Sequence, residues 1–253
     1  MSDDTSAVLI RALDAAHAAG REVRFWLRDD DAVAPTPALD RLLTLSAAEG
    51  VPVTLAVIPR DTGAALAERL AAAPRVRVAV HGWAHENHAL PPRKKQELGP
   101  DRPAETVLAE IARGREKLSA LHGARLLPLL VPPWNRIAPG VVAGLPALGF
   151  TALSTFGPED PTAPMRAINT HVDPIDWHGS RSLCPEAPLW QGAAQRVADL
   201  GSGPVEGTIG LLTHHLVHDT AIWDFVERFI ALTRAHPACR WIDPAEVIAS
   251  SSR

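Results

Sequence analysis

Apolar residues along this chain fall into short, nearly continuous runs, and stretches with helical spacing separate them from one end to the other. Residues 23–27, 51–58, 76–80, 126–131, 150–153, 165–172, 207–212 and 240–242 read as strands. Residues 5–19, 37–49, 62–73, 102–121, 138–148, 189–200, 221–235 and 244–249 read as helices. Local signals set several boundaries. Thr36 precedes Pro37 as an N-cap before a proline at the first helical position, and Gly50 ends that helix. Asp101 reads as the N-cap of the 102–121 helix, and Asp219 or Thr220 stands near the cap of the 221–235 helix. Strands that are apolar throughout belong to a parallel sheet covered on both faces. The pattern predicts an α/β fold, a distorted or incomplete (β/α) barrel of about seven parallel strands. It forms one domain over 1–253, with 220–253 as a helical completion. An open doubly wound sheet is the competing arrangement, but no glycine-rich dinucleotide fingerprint follows the first strand.

Five polar clusters occupy the same kind of place, each directly after an apolar run. They are Asp29-Asp30-Asp31, the stretch from His81 to His88, Pro132-Pro133-Trp134-Asn135, Asp173 to Trp177, and His214-His215. Parallel barrels build their active sites at the C-terminal ends of the strands, so five parallel strands would bring these clusters to one face. Taken singly, each has a plain explanation: aspartates cap helices, histidines satisfy core hydrogen bonds, prolines end strands. His81 and His85 are four residues apart, so a helical turn or a tight loop could aim both imidazoles at one point.

Composition narrows the function classes. A hydrophobic fraction of 46% and a charged fraction of 21% fit a chain with a substantial core. A net charge of −4 offers no basic field for nucleic acid, and no apolar run reaches the length of a membrane span. Cys184 and Cys239 suggest free thiols, with no disulfide framework. The start, Met1-Ser2-Asp3-Asp4, is acidic and lacks a basic leader with an apolar core, so the expectation is a cytoplasmic protein. There are seven tryptophans and no tyrosine; Trp26, Trp83, Trp134 and Trp177 lie in or beside the polar clusters, and several are expected to line one pocket.

In order and content the clusters resemble the motifs of the polysaccharide deacetylase family, the NodB-homology carbohydrate esterases. An aspartate pair after the first strand is similar to Asp30-Asp31, a His-x-x-x-His to His81 and His85, and a proline–aromatic–small turn to Pro133-Trp134-Asn135. An Asp-Trp pair is similar to Asp176-Trp177 with Asp173 upstream, and a leucine-rich strand ending in histidine to Leu211-Leu212-Thr213-His214. The resemblance implies a barrel hydrolase acting on linear amide C–N bonds, with an N-acetylated carbohydrate or a related small amide as substrate. It implies one divalent metal held by Asp31, His81 and His85, zinc first, with cobalt, nickel, manganese and iron admitted by the same donors. Asp30 would be the general base and His214 the general acid. Asp176 would orient another catalytic group, the backbone near Trp134 would stabilise an oxyanion, and Trp177 would wall the acetyl methyl. Pro133, Asn135 and His88 would face substrate, and Trp83 would pack beneath the histidine pair.

Alternatives remain at several positions. Three consecutive aspartates allow two registers; Asp30 and Asp31 are favoured because the small Ala32 then follows, leaving Asp29 as a solvated or capping carboxylate. His215 competes with His214 as the acid. Val131 stands where the family carries an arginine that pairs with the catalytic aspartate; Arg136 has the wrong spacing, and Arg28 or Arg166 are the substitutes at hand. Gly82 replaces the usual hydroxyl residue of the histidine motif. A metal-free barrel glycosidase using Asp30 with Asp173 or Asp176 is the second reading, though it gives His81 and His85 no role. A catalytically impaired carbohydrate-binding relative is the third. The missing leader makes a small intracellular N-acetylated sugar as natural a substrate as chitin or peptidoglycan.

Overall fold

In the computed structural model, which describes residues 5–202 and 207–249, the apolar runs become the strands of one curled parallel sheet. The acidic stretch 1–4 lies outside the described residues. The strands are β1 (Val23–Ala32), β2 (Val53–Val57), β3 (Val76–His81), β4 (Leu126–Val131), β5 (Ala152–Leu153), β6 (Arg166–Ala167), β7 (Ile209–Thr213) and β8 (Cys239–Trp241). Their order is β6-β5-β4-β3-β2-β1-β7, with β8 pairing β1, and every pairing is parallel. The helices are α1 (Ala7–Ala18), α2 (Pro37–Glu49), α3 (Ala64–Ala71), α4 (Ala104–His122), α5 (Pro139–Gly144), α6 (Glu186–Ser202), α7 (Thr220–Ala235) and α8 (Pro244–Ala249).

Local chemistry accounts for most boundaries. The Thr36 hydroxyl accepts the Leu39 amide at 3.0 Å, and Gly50 takes a left-handed φ of 69° that ends α2. Asp219 caps α7 by accepting the Ile222 amide at 2.9 Å. α7 buries Ile222, Trp223, Phe225, Val226, Phe229, Ile230 and Thr233, the spacing of one helical face. Asp101 does not cap α4: Pro103 stands at the cap position, and Asp101 forms an ion pair with Arg93 instead.

The sheet has two differently filled faces. Phe25, Leu27, Val53, Leu55, Val57, Val78, Val80 and Leu130 join the large core beneath the helices. Trp26, Ala56, Ala79, Leu129, Val131, Ala152 and Ile168 form a second, smaller cluster on the opposite, concave face. Alanines at three of those positions leave room for the larger groups of β1. Trp26 is fully buried and donates its indole N–H to the Asn169 carbonyl at 3.1 Å.

Two strands differ from their sequence reading. β1 runs on through all three aspartates. Residues 165–172 form a strand only at Arg166–Ala167, where they pair with β5; further on, Val172 pairs singly with Leu211 of β7. The peptide therefore crosses from one edge of the sheet to the other and draws the curl toward closure. The crossing leaves no space for a side chain at Gly210: an added Cβ would lie 2.6 Å from the Thr170 Cα and 2.6 Å from the Trp26 indole nitrogen. We expect Gly210→Ala to cost about 1–3 kcal/mol, as overpacking does, in urea unfolding. An unchanged midpoint would mean that this contact does not close the barrel.

Candidate active site at the C-terminal edge of the sheet

The end of β1 sorts three adjacent carboxylates into three environments. β1 and β2 are in register at Asp29 and Leu55 and again at Ala32 and Val57, so β1 holds one extra residue between these pairs. This is a β-bulge, and Asp31 within it has a left-handed φ of 70°. Asp29 points with its register partner Thr213 toward the helical layer; Asp30 turns with Arg28 to the concave side; the bulge carries Asp31 to the open edge. Asp29 is therefore neither solvated nor a cap, contrary to the sequence reading. It is fully buried, accepting the Thr213 hydroxyl at 2.8 Å and the His215 amide at 2.9 Å, with the His215 ring against its other oxygen. Burial alone would raise the Asp29 carboxyl, but the charge and hydrogen bond of His215 outweigh it and hold it below the usual range.

Asp31, His81 and His85 converge, with one ligand atom from each all lying within 4.8 Å of one another. The nearer Asp31 oxygen is 3.1 Å from His81 Nε2 and 3.4 Å from His85 Nε2. His81 Nδ1 lies 2.9 Å from the Val131 carbonyl, which can only accept, so Nδ1 donates to it and Nε2 is the nitrogen turned toward Asp31 and open to a metal. Burial would lower the His81 imidazole, but the hydrogen bond to Asp31 and the charges of Asp30 and Asp31 raise it. His85 is lowered, first by burial and then by His81. Asp31 is held far below the usual carboxylate range because its histidine partners outweigh its burial. One carboxylate and two imidazoles with a free side toward solvent suit an open divalent-metal site.

A residue that the sequence reading left in a polar loop builds this triad. Glu97 is 1% exposed and accepts three backbone amides: Ala84 at 2.7 Å, Trp83 at 3.2 Å and His85 at 3.2 Å. These bonds fold residues 82–85 into a tight loop in which Gly82 has φ 59° and His85 φ 55°. A Cβ on Gly82 would lie 2.1 Å from the Glu97 carboxylate and 2.7 Å from the Pro133 ring. Burial raises the Glu97 carboxyl and the three amide bonds pull it back. No motif marks Glu97; the sequence offers only an acid in a loop after the histidine strand.

Arg28 supplies the charge that Val131 cannot. Its guanidinium is fully buried, 2.9 Å from one Asp30 oxygen through Nε and 3.0 Å from the other through Nη2. It also donates to Asn135 Oδ1 at 2.9 Å, Ser154 Oγ at 2.7 Å and the Thr155 carbonyl at 3.2 Å. Val131 packs in the small core of the concave face.

His214 faces the other side of Asp30, with Nε2 3.9 Å from Oδ2. Its ring meets Trp177 edge to face at 4.7 Å, and its amide donates to His218 Nε2 at 3.1 Å. Burial pushes His218 down to about 4, so this acceptor stays neutral near pH 7. His215 is tied to Asp29 under the sheet, which separates the two histidine candidates. Asp173 accepts the Trp177 indole N–H at 2.8 Å; burial raises its carboxyl and the charge of His214 lowers it.

Several predicted site residues lie elsewhere or are already committed. Asp176, expected to orient another catalytic group, spends its carboxylate on the amides of Gly179 and Ser180, at 2.9 and 2.8 Å, and it is Asp173 that holds the Trp177 ring packed on His214. Pro133 is buried against Gly82, and Asn135 accepts from Arg28, so both shape the turn. His88 is outside the triad, its amide bonded to the Gln96 carbonyl. Trp83 packs against Arg113, 3.9 Å from its ring, and not beneath the histidines. Of the four tryptophans, Trp134 and Trp177 reach the site; the Trp134 ring lies 4.2 Å from that of His85.

A family model described as polysaccharide deacetylase matches residues 24–153. Among solved structures, the chain is similar to a candidate polysaccharide deacetylase from Mycobacterium smegmatis, with TM-score 0.69, 16% identity, and 91% and 90% of the two chains covered. It is also similar to a family 4 acetyl xylan esterase from Clostridium thermocellum in complex with a cobalt ion, with TM-score 0.55, 16% identity, and 90% and 91% covered. A family 4 carbohydrate-esterase pseudoenzyme from Bacillus anthracis has TM-score 0.54 and 15% identity, with 83% of this chain and 60% of that one covered. Among curated proteins, none matches the chain significantly.

Two substitutions test this geometry. Arg28→Leu strands a buried carboxylate and should cost about 3–5 kcal/mol in denaturant unfolding, while Arg28→Leu combined with Asp30→Leu should recover most of that. A single variant as stable as the parent would rule the ion pair out. Glu97→Gln should weaken zinc or cobalt binding by the triad about 10- to 100-fold in calorimetric titration, with the fold retained by circular dichroism. An unchanged affinity would remove Glu97 from the support of the site.

Proposed function

The chain belongs to the polysaccharide deacetylase family, and from that premise we propose that it is a metal-dependent hydrolase removing an acetyl group from an N-acetylated sugar or a closely related small amide. One observation carries the reading. A three-donor cluster of Asp31, His81 and His85 stands beside an arginine-held Asp30, with His214 on its other side. The donor chemistry fits a divalent cation: both Nε2 atoms approach one Asp31 oxygen, and His81 Nδ1 donates to the Val131 carbonyl. Zinc is the first choice for such donors, and the cobalt ion named with the Clostridium relative agrees with a divalent site. When bound, the ion supplies Lewis-acid polarisation of the scissile carbonyl and acidification of water.

The chain's own groups supply the rest. Asp30 Oδ2 takes the proton of the attacking water, with Arg28 fixing the carboxylate's orientation and offsetting its charge. His214 Nε2, facing the same space, gives a proton to the departing amine. Asp173 accepts the Trp177 indole N–H and so holds the ring that packs edge to face against His214. Trp134 and Trp177 wall the cleft and limit water around the acetyl group.

The glycosidase alternative loses its partners, because Asp176 is spent on a surface turn and Asp173 on Trp177. The catalytically impaired alternative rested on the missing arginine, and Arg28 supports turnover in its place. An acetate-release screen over N-acetylated mono- and oligosaccharides, with zinc, cobalt, nickel or manganese added, tests the proposal. Asp30→Asn and His214→Ala should each lower kcat at least about 100-fold, in line with the loss of an acid or base. Full activity in either variant would overturn its role, and activity without metal that added zinc and cobalt leave unmoved would overturn the metal-dependent reading.

A further inference from the structure

The loop that holds Asp176 also holds an arginine at the mouth of the site. Asp176 caps the turn at Gly179 and Ser180, Arg181 returns its amide to the Asp176 carbonyl at 3.0 Å, and the Ser182 hydroxyl bonds Asp219 at the start of α7. Ile175 and Leu183 pair antiparallel across the base of the loop. The short loop is thus tied at both ends and at its tip. Within it Arg181 adopts a left-handed φ of 62°, a conformation an arginine rarely takes unless its surroundings impose it. The result is a guanidinium 4.9 Å above the Trp177 ring, whose edge relation to His214 spans 4.7 Å; Arg181 therefore lies within about 10 Å of the His214 imidazole.

Stacking occupies a guanidinium's face and leaves its edge donors available. Elsewhere on this protein such donors are mostly spent on carboxylates, as in Arg41 with Glu227, Arg69 with Asp40, Arg228 with Glu186 and Arg240 with Glu22 and Glu246. Among the described residues no carboxylate lies within ion-pair distance of the exposed Arg181, although Asp176 and Asp219 are close in the chain or the fold; their oxygens serve the loop itself. The side of the cleft marked by Trp134 repeats the pattern. Arg136 follows that turn and donates to the Lys95 carbonyl at 2.8 Å, bringing Arg136, Lys94 and Lys95 together, again with no carboxylate partner among the described residues. A chain of net charge −4 thus carries, beside both the Trp177 and the Trp134 turns, cations with no carboxylate partner among the described residues.

We propose that Arg181 reads an anionic group, a carboxylate or a phosphate, borne by the acylated substrate about one sugar unit from the scissile amide. The edge of the stacked guanidinium forms a bidentate, charge-assisted pair with that group, and Lys94, Lys95 and Arg136 draw the same charge toward the cleft. The inference rests on the deacetylase reading for the identity of the amide, but not for the recognition of the anion.

The test measures binding and turnover separately. Titration calorimetry in a His214→Ala background compares N-acetylglucosamine with its 1-phosphate, its 6-phosphate and its 6-carboxylate, with Arg181 intact or changed to Ala or Lys. At least one anionic sugar should bind about tenfold or more tighter than the neutral one. That preference should collapse in Arg181→Ala, return only in part in Arg181→Lys, and shrink with added salt. A phosphate-only or carboxylate-only preference identifies which anion is read. Equal affinity for all four sugars, or a preference that survives Arg181→Ala, overturns the proposal. Acetate release by the wild-type chain is read in parallel. Turnover without anion preference overturns this inference and leaves the deacetylase reading in place; anion preference without turnover does the reverse.

Discussion

A guanidinium and a carboxylate taken out of water inside a sheet are costly, and the pair is tolerable only when every donor and acceptor around it is matched. Arg28 and Asp30 come close to that condition on the concave face of the curled sheet, where only the Arg28 Nε and Asp30 Oδ1 atoms, paired by charge at 2.9 Å, lack a hydrogen bond. The guanidinium reaches both oxygens of Asp30, and its remaining donors go to Ser154, Thr155 and Asn135. Those partners come from the ends of β4 and β5, so one side chain ties three strands together at the edge where the site is built. Ala56, Ala79 and Ala152 are the small residues of the same face. Because Asn135 is held, the Trp134 turn is held, and with it the ring that packs against His85.

The bulge in β1 is the second constraint, and it exists for the same residues. Side chains of a regular strand alternate, so three consecutive aspartates would put the outer two on one face and the middle one on the other. Here the first must go beneath the helices to His215, the second into the concave face, and the third to His81 and His85. One extra residue relative to β2, with a left-handed Asp31, satisfies all three requirements.

Much of the frame was legible because its signals are local. Thr36, Pro37 and Gly50 announce α2 by their own backbone chemistry, and apolar runs such as 76–80 and 126–131 announce buried parallel strands. The convergence of four of the clusters followed from strand direction, which topology fixes once the sheet is parallel; the fifth, Asp173 to Trp177, arrives on the peptide that crosses to β7. What escaped the sequence depends on contacts between distant segments. Whether Asp173 or Asp176 would stand beside His214 turns on which of them closes a local turn, and a motif cannot distinguish two acids three residues apart. Residues 165–172 have strand composition, yet most leave the ladder as the chain crosses to β7. Asp101 has the side chain of a cap, but Arg93 claims it.

The two departures from the family pattern can be understood together. A hydroxyl residue after the first histidine would order the ligand loop from within; this chain has Gly82, and the loop is ordered from outside by the Glu97 carboxylate and its three amide bonds. The two solutions exclude each other, because any Cβ at position 82 would lie on the Glu97 oxygen and against Pro133, quite apart from the φ of 59°. Glycine there is the condition that lets a buried acid take over. The arginine behaves alike: with Val131 filling the concave core, an arginine two residues before Asp30 on the same face of the same strand reaches the carboxylate that a neighbouring strand would otherwise serve. Each lost side chain is answered by one whose position follows from alternation or from free volume. The constraint on such a site is therefore the presence of a buried cation at the base and of acceptors for the loop amides, whichever strand or loop provides them.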